Sequence, residues 1–139
     1  MKQKVPVSTI MTKHVIKLNL SDDLTKAEHL FKKHHIRHIP VVNGNKIVGM
    51  LSYTDLLRIS FADAVYEDET DIDVTVYNMF SVEQVMARNL VKVSPETTIR
   101  EVSEILASKE FHALPVVEDE LLVGIVTTTD LIKYLIDQY

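Results

Sequence analysis

Slid against itself by 75 residues, this sequence aligns without gaps from Val7–Leu57 onto Val82–Ile132. Identical pairs include Val7/Val82, Met11/Met86, Lys17/Lys92, Pro40/Pro115, Val41/Val116, Val42/Val117, Val48/Val123, Gly49/Gly124, Thr54/Thr129, Asp55/Asp130 and Leu56/Leu131. Others exchange one aliphatic residue for another, as in Ile10/Val85, Ile16/Val91, Leu24/Ile99 and Leu30/Ile105. The identities concentrate in Pro-Val-Val and in Val-Gly-x-x-x-x-Thr-Asp-Leu, and two of only three glycines fall at equivalent places. A tandem duplication of this kind restricts the chain to folds that can be built from one supersecondary unit used twice.

Each copy reads as the same succession of elements. A short helical turn (Val7–Met11; Val82–Met86) leads into a β-rich run, Val15-Ile16-Lys17-Leu18 or Leu90-Val91-Lys92-Val93. A helix start follows, with Ser21 expected to cap a first turn carrying Asp22 and Asp23, and Ser94 preceding Pro95 and Glu96. Apolar residues at Leu24, Ala27, Leu30 and Phe31, repeated at Ile99, Val102, Ile105 and Leu106, mark one buried helical stripe. Two β-branched runs come next, separated by Asn43-Gly44-Asn45 in one copy and Glu118-Asp119-Glu120 in the other. A closing helix carries Leu56, Leu57 and Phe61, or Leu131, Ile132, Leu135 and Ile136. The pattern is β-α-β-β-α, too small to bury its own sheet on both sides, so two copies are expected to cover each other's open apolar faces in an α/β (α+β) protein. Repeats over residues 1–64 and 81–139 are then joined by an acidic connector, 65–80, expected to finish the closing helix and run irregularly over the surface.

Composition excludes several functions. The chain has 139 residues, 46% of them hydrophobic and 25% charged, the balance of an ordinary globular domain. It has no cysteine, which removes disulfide frameworks, zinc ribbons and thiol nucleophiles and fits a reducing compartment. No apolar run approaches the roughly 18 residues of a membrane span, and no signal core follows Met1–Pro6, so a soluble, cytoplasmic protein without membrane insertion is expected. The net charge of −5 resides entirely between Arg58 and Phe80, where one arginine accompanies six acids. The remainder is neutral overall, and nothing resembles the basic footprint of a nucleic-acid binder.

The chemically informative segment is the end of the last strand, Gly49-Met50-Leu51-Ser52-Tyr53-Thr54-Asp55 and Gly124-Ile125-Val126-Thr127-Thr128-Thr129-Asp130. A hydroxyl residue stands where the strand stops, and an aspartate follows three residues later in the first helical turn. A helix N-terminus presents backbone N–H groups to an anion. A hydroxyl adds a donor, and a carboxylate accepts two hydrogen bonds from a vicinal diol such as ribose. Glycine at this strand would let a flat base approach the backbone. Ser or Thr followed three residues later by an acid is equally a capping box. A second segment, Lys32–Pro40 with its counterpart Lys109–Pro115, offers a phosphate-facing patch of Arg37, His38 and His112, or simply a solvated helix end. A metal site from His34, His35 and His38 is opposed by neighbouring cations and lacks a local carboxylate. Asp71-x-Asp73 lacks the glycine and bidentate glutamate of a calcium loop. No catalytic set emerges.

Two copies carrying His-x-Pro-Val-Val or Ala-Leu-Pro-Val-Val and then Val-Gly-h-h-Ser/Thr-x-x-Asp-h-h resemble a tandem CBS-domain pair, the Bateman module. The resemblance covers nearly the whole chain. It implies two repeats packed with pseudo-twofold symmetry, with clefts that take an adenosine ligand: AMP, ADP, ATP or S-adenosylmethionine. By position, Ser52, Thr54 and Asp55 serve one cleft and Thr127, Thr129 and Asp130 the other, the acids holding ribose and the hydroxyls lying near phosphate. Adenine is then expected against Val15, Ile16 and His38, or against Leu90, Val91 and Ala113, with Arg37 and His112 facing phosphates. The implied role is regulatory, with no catalysis and no required cofactor or metal. Its output would pass through a separate effector polypeptide, and homodimerisation would use Phe61, Leu135, Ile136 and Tyr139. The alternatives are a ligand-free dimerisation scaffold and, remotely, a small metal-dependent enzyme.

Overall fold

The structure, a computed structural model, describes residues 4–63 and 77–139, and the side chains of 60–63 lie outside that description. The chain forms two compact units. One comprises Ile16–Gly44 and Val48–Asn89; the other comprises Met1–Val15, Asn45–Ile47 and Leu90–Tyr139. They are named here after Asp55 and Asp130. Each unit therefore takes most of one repeat together with the lead-in segment of the other.

In the Asp55 unit, β1 (Leu18–Asn19), α1 (Leu24–His34), β2 (His38–Asn43), β3 (Lys46–Ser52, from Val48 onward), α2 (Tyr53–Asp63) and α3 (Val82–Val85) follow in order. The strands lie β1-β2-β3, with β1 parallel to β2 in the register Leu18↔Val41 and Asn19↔Val42. The β2–β3 hairpin turns at Gly44, whose φ of +68 is open to glycine at no steric cost. The expected stripe of α1 is buried at Leu24, Ala27 and Phe31. It meets Leu18, Ile39, Val41, Leu51 and Leu56, with Tyr77, Val82 and Met86 completing the core. Burial stabilises each of the larger apolar side chains by about 1.5–3 kcal/mol. Of the expected surface excursion only 77–80 are described, and Tyr77 is buried, its hydroxyl donating to Glu28 Oε2.

The Asp130 unit begins with a 3-10 turn, Val7–Thr9, and continues with α4 (Ile99–Ser108), β4 (Ala113–Glu118), β5 (Leu121–Thr127) and α5 (Thr128–Asp137). Strands β4 and β5 pair antiparallel from Ala113↔Thr127 to Glu118↔Leu121, and Lys46 at the start of β3 pairs with Leu121. Val7, Val93, Val102, Leu106, Leu114, Val116 and Val126 form the core. Val7 N–H donates to Thr97 O at 2.7 Å and Ile99 N–H to Val5 O at 2.8 Å, fastening the N-terminal segment beside α4.

Two expectations are corrected. The first β-run of each copy is shorter than its composition suggests: β1 holds only Leu18–Asn19, and in the second copy only Val93 bridges Val116. These are equivalent contacts, because 18/93 and 41/116 are both repeat mates. Immediately afterwards the backbone is drawn into a turn. Asn19 N–H donates to Asp22 Oδ2 at 2.8 Å, and Ser94 N–H donates to Thr97 Oγ1 at 3.0 Å. That turn also explains the second correction. The helix caps are Asp23 and Thr98, accepting from Lys26 N–H (2.8 Å) and Glu101 N–H (3.1 Å), in place of Ser21 and the Ser94–Pro95 start.

Candidate functional site

In the Asp55 unit, β3 ends at Ser52 and α2 begins at Tyr53 without an intervening loop. Ser52 Oγ accepts the Asp55 N–H at 3.0 Å, so the hydroxyl caps the helix. The Asp55 carboxylate does not complete a capping box; its Oδ1 pairs with Arg58 Nη1 at 3.3 Å. Tyr53 N–H donates to Arg37 O at 2.8 Å, and its ring meets Phe31 edge-on at 5.1 Å between centroids. The segment before Pro40 and the start of α2 are thus joined by a backbone bond. Arg37 is exposed, His38 is half-buried as the first residue of β2, and Thr54 is exposed on the first helical turn.

The Asp130 unit repeats this arrangement with one difference. Thr127 Oγ1 accepts Asp130 N–H at 3.2 Å, while Asp130 Oδ2 accepts Thr127 N–H at 2.9 Å, a complete capping box. Thr128 N–H donates to His112 O at 3.0 Å, the counterpart of the Tyr53–Arg37 bond, and Ala113 faces Thr127 across the β4–β5 ladder. His112 and Thr129 are exposed; Ala113 is buried.

In each unit, therefore, the hydroxyl, the acid and the residues before Pro-Val-Val come together. Val15, Ile16, Leu90 and Val91 are half-buried, on the approach to Leu18 or Val93. Their units differ, Ile16 lying with Asp55 and Val15, Leu90 and Val91 with Asp130. The capping interpretation is correct in full for Thr127–Asp130 and in half for Ser52–Asp55. It does not exhaust the acids: an ionised carboxylate has about four acceptor positions, and a cap uses one.

The glycine expectation is overturned. A Cβ on Gly49 would run into Met86 Sδ, and one on Gly124 would lie 2.7 Å from Met11 Sδ and 3.1 Å from Thr12 O. Methionine, rather than an adenine ring, occupies the space that glycine opens. The backbone holds it there: Met50 and Ala87 exchange N–H···O bonds of 3.0 and 2.8 Å, and Thr12 and Ile125 exchange bonds of 2.8 and 3.0 Å. The signal for this contact was present in the sequence, since the Met11/Met86 and Gly49/Gly124 identities repeat together.

Among the described residues no group of three or more His, Asp or Glu side chains could hold a metal ion. His35 forms the C-cap of α1 in the left-handed region (φ 53, ψ 42). The Glu67–Asp73 run lies outside the described residues. Of the expected dimer contacts, Leu135 is 44% exposed, Ile136 65% and Tyr139 98%, while the Phe61 side chain lies outside the description. No helix among the described residues is long and apolar enough to cross a membrane.

The CBS domain family model matches residues 7–62 and 82–137. The chain is 24% identical over 129 residues to an uncharacterized Methanocaldococcus jannaschii protein, covering 92% of this chain and 46% of that one. It is 29% identical over 125 residues to the CBS domain-containing protein YhcV of Bacillus subtilis, covering 90% and 81%. It also matches 14% of the length of an A-adding tRNA nucleotidyltransferase of Geobacter sulfurreducens, at 26% identity over 94% of this chain. The chain thus spans less than half of two of these relatives. Among solved structures, a CBS domain pair in complex with 5′-methylthioadenosine and S-adenosyl-L-methionine superposes with a TM-score of 0.80 at 23% identity, over 97% of this chain and 98% of the other. CBSX2 in complex with AMP superposes with a TM-score of 0.79 at 21% identity, over 96% and 98%. A twice-used strand–hydroxyl–helix–acid junction, matched over both repeats by one family model, makes this chain a member of the CBS-domain family.

Proposed function

We propose that this chain is a cytoplasmic regulatory module that binds an adenosine-containing ligand, an adenine nucleotide (AMP, ADP or ATP) or S-adenosylmethionine, and signals to a separate effector protein without catalysing a reaction. Asp55 and Asp130 accept the ribose hydroxyls in this reading. Ser52 and Thr127 stand near phosphate with Thr54 and Thr129, and Arg37, His38 and His112 lie one backbone bond from the same helix starts. The observation that carries the reading is the duplicated bond from Tyr53 to Arg37 and from Thr128 to His112, which brings two separate sequence motifs to one place in each unit. The adenosine compounds bound by the two solved CBS-domain structures support the ligand class.

Titration calorimetry with AMP, ADP, ATP and S-adenosylmethionine tests it. Saturable binding to at least one is expected, and replacing Asp55 or Asp130 by Ala should weaken it by about 1.5–3 kcal/mol per lost charged hydrogen-bonding group. No heat and no melting shift with any of them would remove the reading. A second reading, a dimerisation scaffold that needs no ligand, is favoured by the exposed Ile132, Leu135, Ile136 and Tyr139 at the end of the chain. It expects a homodimer by light scattering whose mass is indifferent to nucleotide.

A further inference from the structure

At three equivalent positions the Asp55 unit carries the more basic side chain, and with histidine neutral the first of these exchanges changes the net charge. Arg37 in the Asp55 unit corresponds to His112 in the Asp130 unit, His38 to Ala113, and Arg58 to Lys133. With histidine neutral, Arg37, Asp55 and Arg58 carry a net charge of +1, whereas His112, Asp130 and Lys133 sum to zero.

The acids are also engaged differently. Asp130 is tied back to the Thr127 amide, and among the described residues no cation pairs with it as Arg58 pairs with Asp55. Asp55 holds a guanidinium at 3.3 Å through a side chain that is 74% exposed. An ion pair that exposed contributes about 0–1 kcal/mol, so Arg58 can be drawn to another anion at little cost. Its planar fork matches two phosphate oxygens, which the point charge of Lys133 does not. Ala113, 8% exposed, contributes an apolar surface where the other unit has an imidazole.

From this contrast, and resting on the adenosine reading above, we infer that the two sites divide ligands by phosphate content. The Asp55 site takes a nucleoside di- or triphosphate, with Arg37 and Arg58 as the specificity-determining residues. The Asp130 site takes an adenosine compound bearing little or no negative charge.

Titration of the full ¹⁵N-labelled chain with ATP and, separately, with adenosine reads both sites at once, through the amides of Tyr53–Asp55 and Thr128–Asp130. ATP is expected to saturate the first set at roughly tenfold lower concentration than adenosine does. The second set should respond to the two compounds within about threefold. Arg37→Ala and Arg58→Ala should each reduce the ATP preference at the first set while leaving the melting temperature unchanged, and Arg58→Lys should reproduce most of the Arg58→Ala effect. His112→Arg should create an ATP preference at the second set. Raising ionic strength should weaken ATP at the first set more than adenosine. Equal ATP-to-adenosine ratios at the two sets would overturn the inference and leave the adenosine reading standing. No shift at either set with either compound would also overturn the inference, and the calorimetric titration with AMP, ADP, ATP and S-adenosylmethionine then decides the adenosine reading.

Discussion

At the scale of residues, the structure separates positions where side chain and backbone agree from those where they conflict. Gly49 and Gly124 are fixed by their methionine partners. Gly49→Ala and Gly124→Ala each place a methyl within 3.0 Å of a methionine sulfur. Overpacking of this kind costs about 1–3 kcal/mol. Gly124→Ala should be the more damaging of the two, because its methyl also meets the Thr12 carbonyl, which is backbone and cannot swing aside; urea denaturation compares them. Asp119 and Glu120 show the opposite situation. Both turn with positive φ (52 and 68) between β4 and β5, the backbone of a type I′ turn built without glycine. Left-handed backbone costs a non-glycine residue roughly 1–2 kcal/mol, so Glu120→Gly should raise the unfolding free energy by about 1 kcal/mol. Unchanged or lower stability would show that the Lys46–Glu120 pair at 3.3 Å matters more than the turn. The acids and hydroxyls of the site were legible in the sequence because their chemistry is local, at i and i+3. The glycine partners were marked only indirectly, by the joint repetition of Met11/Met86 and Gly49/Gly124, because Met86 reaches Gly49 across 37 positions and no local spacing pairs them.

At the scale of elements, the buried stripes of α1 and α4 and both hairpins stand where period and turn residues put them. The caps do not. Ser21 and Ser94 are ordinary cap residues in a string, but Asp22 and Thr97 take the preceding amides of Asn19 and Ser94, and that turn delays each helix to Asp23 or Thr98. Competing side-chain bonds of equal local strength are what a linear reading resolves least well. The capping difference between α2 and α5 yields a direct expectation. Asp130→Ala removes half of a complete capping box and should cost about 0.5–2 kcal/mol in unfolding free energy. Asp55→Ala removes only an exposed pair with Arg58 and should cost about 0–1 kcal/mol. Equal losses in thermal or urea melts would mean that the two helix starts are held alike.

At the scale of the whole molecule, the repeat seen in the sequence and the unit seen in the fold have different boundaries. Repetition shows that Val7 and Val82 are mates; it is silent on which core each enters. Val7 belongs to the core of Val93, Val102 and Val126, while Val82 belongs to that of Leu18, Phe31 and Leu51. A fragment of residues 65–139 lacks the Val7 segment, and one of 1–64 lacks Tyr77, Val82 and Met86. Each alone should show poor amide dispersion, and an equimolar mixture should regain the native spectrum. The central claim for the molecule as a whole is that its paired junctions are ligand sites as well as helix caps. The most direct test is a calorimetric titration of ATP into the wild-type chain and into the double variant Asp55→Asn, Asp130→Asn, in which an amide oxygen at position 130 can still accept the Thr127 N–H. The account expects saturable binding to the wild type, and at least tenfold weaker binding to a variant that melts within a few degrees of it. ATP bound equally well by both chains would contradict it.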